Sequence, residues 1–199
     1  RPGQAMLLHW RLIRTAYILD QPEASAEHAR ALLALAEGDR LTANERADAL
    51  LAAAWQRHQI AQPFDCLDLL DRLPAVLDER QQAQAMAARA AALRGCGQIE
   101  AARAAARAAL AMPGLQGLER GNLMDAMAVT EQRAGRIREA LVQAEAAVAL
   151  CTQLGDMHGV VRGMYRRGTF MIELGDLDAA VLELQRGAER CEQFGFARV

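Results

Sequence analysis

The sequence has 199 residues, of which 52% are hydrophobic and only 4% aromatic, and its net charge is −2. Because nucleic-acid-binding segments usually have a basic patch or a clear excess of positive charge, this balance argues against a DNA or RNA partner. All 23 basic residues are arginine, which excludes chemistry that needs a lysine, such as a phosphate-loop ATPase or a Schiff base. No apolar run reaches the roughly 18 residues of a membrane-spanning helix and no signal peptide is visible, so we expect a cytoplasmic protein without a membrane partner.

Five helix pairs are predicted along the chain, each centred on a turn between its two helices. Their approximate bounds are 6–41, 47–80, 83–116, 121–157 and 161–193. The turns are spaced by 41, 36, 38 and 40 residues, which is typical of a helical repeat. The turn residues are Asp20, Ala61, Gly97, Gly135 and Gly175. Since glycine adopts a left-handed conformation without steric cost and ends a helix well, Asp20 and Ala61 make the first two repeats the weaker ones.

The residues around each turn also repeat in size. Pro22 and Pro63 each follow a turn by two residues, where proline suits the start of the second helix. Pro74 is predicted to end the second helix of the second pair early. Five residues after the turns come small side chains, which let two helix backbones approach: Ser25, Cys66, Ala102, Ala140 and Ala180. Seven residues before the turns come further core positions: Ile13, Ala54, Ala90, Ala128 and Gly168.

The pattern resembles the tetratricopeptide repeat family in three of the five pairs. The matching residues are Gly168, Gly175, Leu177, Ala180 and Leu184 in the fifth pair, Gly135, Ile137, Ala140 and Ala147 in the fourth, and Gly97, Ile99, Ala102, Ala106, Ala109 and Pro113 in the third. The resemblance implies an all-α solenoid of about five repeats, a right-handed superhelix of antiparallel helix pairs. A unit near 40 residues is similar to the extended repeats of the maltose-regulon activator and other bacterial signalling and transcription regulators.

No catalytic or metal-binding motif is visible. Ser25, the only serine, falls at a buried small-residue position, which argues against a serine hydrolase. The four histidines form no HExxH or related ligand pair, and the four cysteines form no CxxC pair. We therefore predict a non-enzymatic protein without a cofactor or metal, with solvated carboxylates and with four buried thiols in a reducing cytosol: Cys66, Cys96, Cys151 and Cys191.

In the tetratricopeptide family the first helix of each pair lines a concave groove, and the resemblance implies a groove here that binds a protein or peptide. Both tryptophans, both tyrosines and several arginines fall on these inner positions, and these residue types are enriched at binding hot spots. The candidate residues are Trp10, Arg14, Tyr17, Trp55, His58, Asn122, Asp125, Arg133, Arg162, Tyr165 and Arg166, with Gln84, Ala87, Ala91 and Arg94 of the third repeat between them. The alternative is that the aromatic residues only pack between helices.

Three functions remain open for residues 1–199, which are predicted to form one repeat domain. The first is a partner-binding regulatory segment of a larger bacterial signalling or transcription protein. The second is self-association, as a homodimer, through Phe194 and Phe196 in the last repeat, because Gly195–Val199 aligns with Gly155–Gly159 and the chain stops where a sixth repeat would begin. That uncapped end suggests a fragment of a larger protein. The third function is a small-ligand sensor.

Overall fold

The computed structural model describes residues 2–38 and 40–196, apart from the side chains of Pro2 and Ile18. Within these ranges it consists of ten α-helices and no strand. The residues after Phe196, which the sequence aligns with a sixth repeat, lie outside the described residues. The helices are α1 (Pro2–Ile18), α2 (Pro22–Glu37), α3 (Ala43–Gln59), α4 (Pro63–Asp71), α5 (Glu79–Gly95), α6 (Ile99–Leu110), α7 (Gly117–Arg133), α8 (Ile137–Leu154), α9 (Met157–Leu174) and α10 (Leu177–Phe194).

The five predicted turns share one backbone geometry. Each turn residue has a positive φ, including the two that are not glycine: 53° at Asp20 and 58° at Ala61. In each turn the next amide donates to a carbonyl of the preceding helix, as Gln62 donates to Arg57 at 2.9 Å and Asp176 to Met171 at 2.9 Å. This is the hydrogen bond that closes a left-handed helix end. Asp20 and Ala61 therefore replace glycine without changing the turn, so the first two repeats have the same construction as the others.

A left-handed alanine predicts a simple stability gain at Ala61. Its φ of 58° is unfavourable for a residue with a Cβ atom. We expect Ala61→Gly to raise the free energy of unfolding by about 0.5–1 kcal/mol, since the relieved strain exceeds the extra entropy of the unfolded chain. Urea denaturation followed by circular dichroism would measure this. The matched control is Ala104→Gly, exposed within α6, which should lower stability by about 1 kcal/mol. Losses of equal size in both variants would contradict the assigned turn.

The predicted register of small residues is confirmed in every pair. All five residues that follow the turns by five positions are buried, from Ser25 to Ala180, and so are all five that precede the turns by seven. Pro22 and Pro63 occupy the first positions of α2 and α4. The second helix of pair two ends at Asp71, ahead of Pro74, as predicted. Small side chains therefore occupy the buried position that follows each turn, as the repeat pattern predicts.

The described chain divides into two compact units, the first ending at Gly114 and the second beginning at Leu115. Unit 1 contains α1 to α6, and an apolar cluster over α1 to α5 includes Ile13, Leu32, Leu50 and Leu69. Unit 2 contains α7 to α10 and has two smaller clusters, one around Phe170 with Ala128, Ala140 and Ala144, and one of Cys151, Val160 and Met164. The single domain over residues 1–199 stays a prediction.

The thiols differ from the sequence-based expectation. All four cysteines are free, and Cys66 and Cys151 are buried as predicted. Burial raises the pKa of the Cys66 thiol to about 12 and that of Cys151 to about 11, so neither is an activated nucleophile. Cys96 and Cys191 are only half-buried, and the prediction was wrong for these two. Cys96 directly follows the end of α5. Cys191 lies four residues before the end glycine of α10, as the buried Cys151 does in α8, but among the described residues no further helix follows α10 to cover it.

Candidate partner-binding surface

In unit 1 the predicted aromatic residues come together on α1 and α3. The Trp55 ring lies between two others, 5.5 Å from the centroid of Trp10 and 5.4 Å from that of Tyr17. Both contacts are edge-to-face, the arrangement that aromatic quadrupoles favour. All three side chains are half-buried, and Trp10 and Trp55 pack against the apolar cluster of the unit. The aromatic cluster therefore contributes to packing and also leaves part of each ring exposed, together with the half-buried Arg14 on α1.

His58, at the end of α3, is held in its neutral form. Burial, and secondarily the positive charge of Arg94, lower the pKa of His58 to about 4. A neutral imidazole can donate one hydrogen bond and accept another, but it cannot serve as a cation. His58 therefore does not add positive charge to this surface at neutral pH. The predicted inner position Ala91, on α5, is buried rather than open.

The lowered pKa of His58 predicts a loss of stability in mild acid. The unfolded chain takes up this proton near pH 6.5, whereas the folded chain resists it until about pH 4. Protons therefore favour the unfolded state in this window, and the free energy of unfolding falls as pH falls. The expected loss is on the order of 2 kcal/mol by pH 5, at about 1.4 kcal/mol for each pH unit.

Urea titrations at pH 7 and pH 5 on the wild type and His58→Leu would test this expectation. The variant should lose clearly less stability between the two pH values, because its side chain has no proton to take up. Comparing the two proteins at each pH cancels the contribution of His9, whose pKa is also lowered, by burial and then by His28. An equal loss in both proteins would mean that His58 is not the group responsible.

In unit 2 the first helices of the two pairs, α7 and α9, are joined by a charged cluster, which we call the arginine cluster: Asn122, Asp125, Arg162 and Arg166. The Asp125 carboxylate lies 3.0 Å from Nε of Arg162 and 2.6 Å from Nε of Arg166. Arg162 also donates from Nη2 to the Asn122 Oδ1 at 2.6 Å. Asp125 is 6% exposed, so the prediction that carboxylates are solvated was wrong here, because two guanidinium groups replace the water around it.

The arginine cluster has one more positive than negative charge. The remaining guanidinium nitrogens of Arg162 and Arg166 make no further hydrogen bond or ion pair among the described residues. Tyr165, between them on the same helix, is 60% exposed, and Arg133 at the end of α7 is exposed as well. Arginine donors in this arrangement can bind carboxylate or carbonyl oxygens of a partner.

Two further buried carboxylates also have arginine partners. Glu131 pairs with Arg136 across the turn that follows α7, and Glu183 on α10 lies 3.0 Å from Nη1 of Arg167 on α9. These pairs connect neighbouring helices and lie off the predicted inner positions. They therefore belong to the packing of the unit.

At the end of unit 2, Phe194 and Phe196 stack on each other with a centroid distance of 5.8 Å. The ring of His158, from the start of α9, is nearly perpendicular to that of Phe196, with a centroid distance of 5.4 Å. Phe194 remains 42% exposed. The two candidate self-association residues thus form one small aromatic group, part of which faces solvent.

The sequence motifs did not predict one contact between two side chains. His9 on α1 and His28 on α2 lie side by side, with their Nδ1 atoms 3.3 Å apart. They stand eleven residues before and eight residues after the turn, the positions that Leu50 and Leu69 occupy in the core of the second pair. The repeat register could therefore have predicted the contact, although no spacing motif does. Among the described residues, no group of three or more His, Cys, Asp or Glu residues could hold a metal ion.

No protein-family model and no curated protein sequence matches the chain. Solved structures do match it. A Podosopora anserina kinesin light chain with nearly identical TPR-like repeats superposes with a TM-score of 0.63 at 15% identity, over 98% of this chain and 97% of that one. BtubC from P. vanneervenii gives 0.67 at 13% identity, over 100% and 94%. A Rap protein complexed with Competence and Sporulation Factor gives 0.79 at 14% identity, over 96% of this chain and 55% of that one.

The fold is a tetratricopeptide-like helical repeat. The predicted all-α class and the arrangement in helix pairs are therefore confirmed. At identities of this size the likeness concerns the fold, and the binding properties of these proteins are not transferred with it. In the part of the chain that the structure describes, no helix is long and apolar enough to span a membrane.

Proposed function

We infer that this chain is a non-enzymatic scaffold that binds a protein or peptide partner, as the regulatory segment of a larger bacterial signalling or transcription protein. The observation that supports this most is the arginine cluster with the exposed Tyr165 beside it. Arginine and tyrosine are among the residues most enriched at binding hot spots. The Rap structure, with its bound Competence and Sporulation Factor, gives one example of this fold in complex with another molecule.

The buried Asp125 prepares the two arginines for binding. An arginine side chain normally loses considerable rotamer freedom when a partner fixes it, and this loss opposes association. Here Arg162 and Arg166 are already positioned by the carboxylate. A partner segment with carboxylate or carbonyl oxygens would therefore bind without that cost, while Tyr165 adds apolar contact area.

Differential capture would test the proposal. The wild-type chain, immobilised, should retain a reproducible set of proteins from the cells that produce it. Tyr165→Ala and Arg133→Ala both remove exposed groups and should lose members of that set. The matched control is Arg138→Ala, an exposed arginine on the second helix α8, which should retain all of them. If all three variants capture the same proteins as the wild type, the inner face of unit 2 is not the binding surface.

Self-association is a second candidate, supported by the exposed apolar face of α10. Val181 is 53% exposed, whereas Leu141, its equivalent forty residues earlier on α8, packs against the Phe170 cluster. Phe194 on the same helix borders an open depression of about 560 Å³. A second copy of the chain that covers these residues would remove apolar surface from water.

Light scattering after size exclusion would decide this second candidate. Self-association predicts the mass of two chains for the wild type, which Val181→Glu or Phe194→Asp would reduce to one. Val142→Glu, at an equally exposed valine on α8, should leave the mass unchanged. A mass of one chain for the wild type at all concentrations would overturn the self-association proposal.

A further inference from the structure

We propose that His9 and His28 form a binding site for a divalent transition-metal ion, of which Zn²⁺ is the probe of choice, between the first two helices. The geometry is specific. The Nδ1 atoms of the two rings lie 3.3 Å apart, and the ring planes are inclined at 48°. Two imidazole nitrogens bound to one tetrahedral zinc ion, at about 2.0–2.1 Å each, are separated by about 3.3–3.4 Å. The two nitrogens therefore already stand at the distance that a shared ion requires.

The surroundings of His9 and His28 favour metal binding through their ring nitrogens. Both side chains are half-buried, and no cation or carboxylate forms a hydrogen bond or ion pair with either ring among the described contacts. The neutral imidazole is the form that binds Zn²⁺, Ni²⁺ and Cu²⁺. In the second repeat, buried leucines Leu50 and Leu69 occupy the corresponding positions. The repeat architecture thus accepts an apolar pair here, and histidine is not required for packing.

The site would have two protein ligands, because no third His, Cys, Asp or Glu among the described residues is placed to join them. Water would occupy the remaining positions, as it does at the open position of catalytic zinc sites. Such a site binds the ion reversibly, and the bound ion connects α1 to α2. A bound ion would therefore stabilise the first helix pair in proportion to its occupancy.

Isothermal titration of the protein with Zn²⁺ tests the proposal. The background carries Cys96→Ser and Cys191→Ser, since these half-buried thiols could otherwise bind zinc. We expect one equivalent of Zn²⁺ to bind and to raise the melting temperature. His9→Leu/His28→Leu, which reproduces the leucine pair of the second repeat, should fold normally and bind at least about tenfold more weakly. His158→Leu, at a histidine far from the pair in sequence, should bind like the parent.

Two results would overturn the proposal. Zinc binding of unchanged affinity in the double-leucine variant would place the ion elsewhere. Absence of binding to the parent at millimolar Zn²⁺ would mean that the two rings share only a hydrogen bond. NMR spectra of the histidine rings would identify which histidines bind the ion. The resonances of His9 and His28 should shift on addition of Zn²⁺, whereas those of His58 and His158 should not.

Discussion

Asp125→Ala should lower the free energy of unfolding by about 3 kcal/mol or more. The substitution removes the shared partner of Arg162 and Arg166, whose side chains are only 18% and 29% exposed. Removal of one partner from a buried ion pair typically costs about 3–5 kcal/mol, because the remaining charge stays desolvated. Because the two arginines can turn partly toward solvent, we expect a loss of stability at the lower end of this range. Urea denaturation followed by circular dichroism would measure the loss.

The control for Asp125→Ala is a substitution in an ion pair on the surface. Asp71 lies 2.6 Å from Arg89, with side chains that are 65% and 44% exposed. Asp71→Ala should therefore change stability by less than about 1 kcal/mol. If Asp125→Ala were as mild as Asp71→Ala, the arginine cluster would be a solvated surface group, and the preparation of Arg162 and Arg166 for binding would lose its physical basis.

Phe170→Ala should have the second large effect, a loss of about 3–5 kcal/mol. Phe170 is 1% exposed and packs against Ala128, Ala140 and Ala144 in unit 2. Alanine neighbours have no side-chain length with which to fill the vacated volume, so the cavity would persist. Thermal or urea denaturation would measure the effect.

Tyr165→Ala is the matched control for Phe170→Ala. It truncates an aromatic residue on the same helix that is 60% exposed, and it should stay within about 0.5 kcal/mol of the wild type. Similar losses in the two variants would mean that Tyr165 is part of the core and not of a binding surface. The same comparison therefore checks that Tyr165→Ala leaves the fold stable enough for the capture experiment.

The sequence predicted the fold well because the repeat is determined by local rules. Chain reversal at Gly135 or Gly175 depends on one left-handed residue, and close helix packing depends on one small residue five positions later. Both signals can be recognised in the sequence without knowledge of distant contacts. The turns at Asp20 and Ala61 were harder to predict, because a residue with a Cβ atom adopts the left-handed conformation only when the surrounding helices require it.

The candidate site could be predicted only in part. The resemblance to the tetratricopeptide family and the repeat register predicted inner positions for Arg162 and Arg166 in the fifth pair. Their partner Asp125 comes from the previous repeat, and charge alone does not show which of many carboxylates is buried. His9 and His28 occupy the repeat positions of the buried Leu50 and Leu69, but no metal-ligand spacing motif marks them as a pair. In both cases the missing information was the pairing of side chains across a seam.

Photo-cross-linking from position 165 is the measurement that tests the binding proposal most directly. A benzophenone side chain would replace Tyr165 in one protein and Val142, 59% exposed on the second helix α8, in a control. The proposal predicts that position 165 cross-links a defined protein or peptide in the producing cells, that Arg133→Ala reduces the product, and that position 142 gives none. The same products from both positions, or none from position 165, would contradict partner binding by the inner face of unit 2.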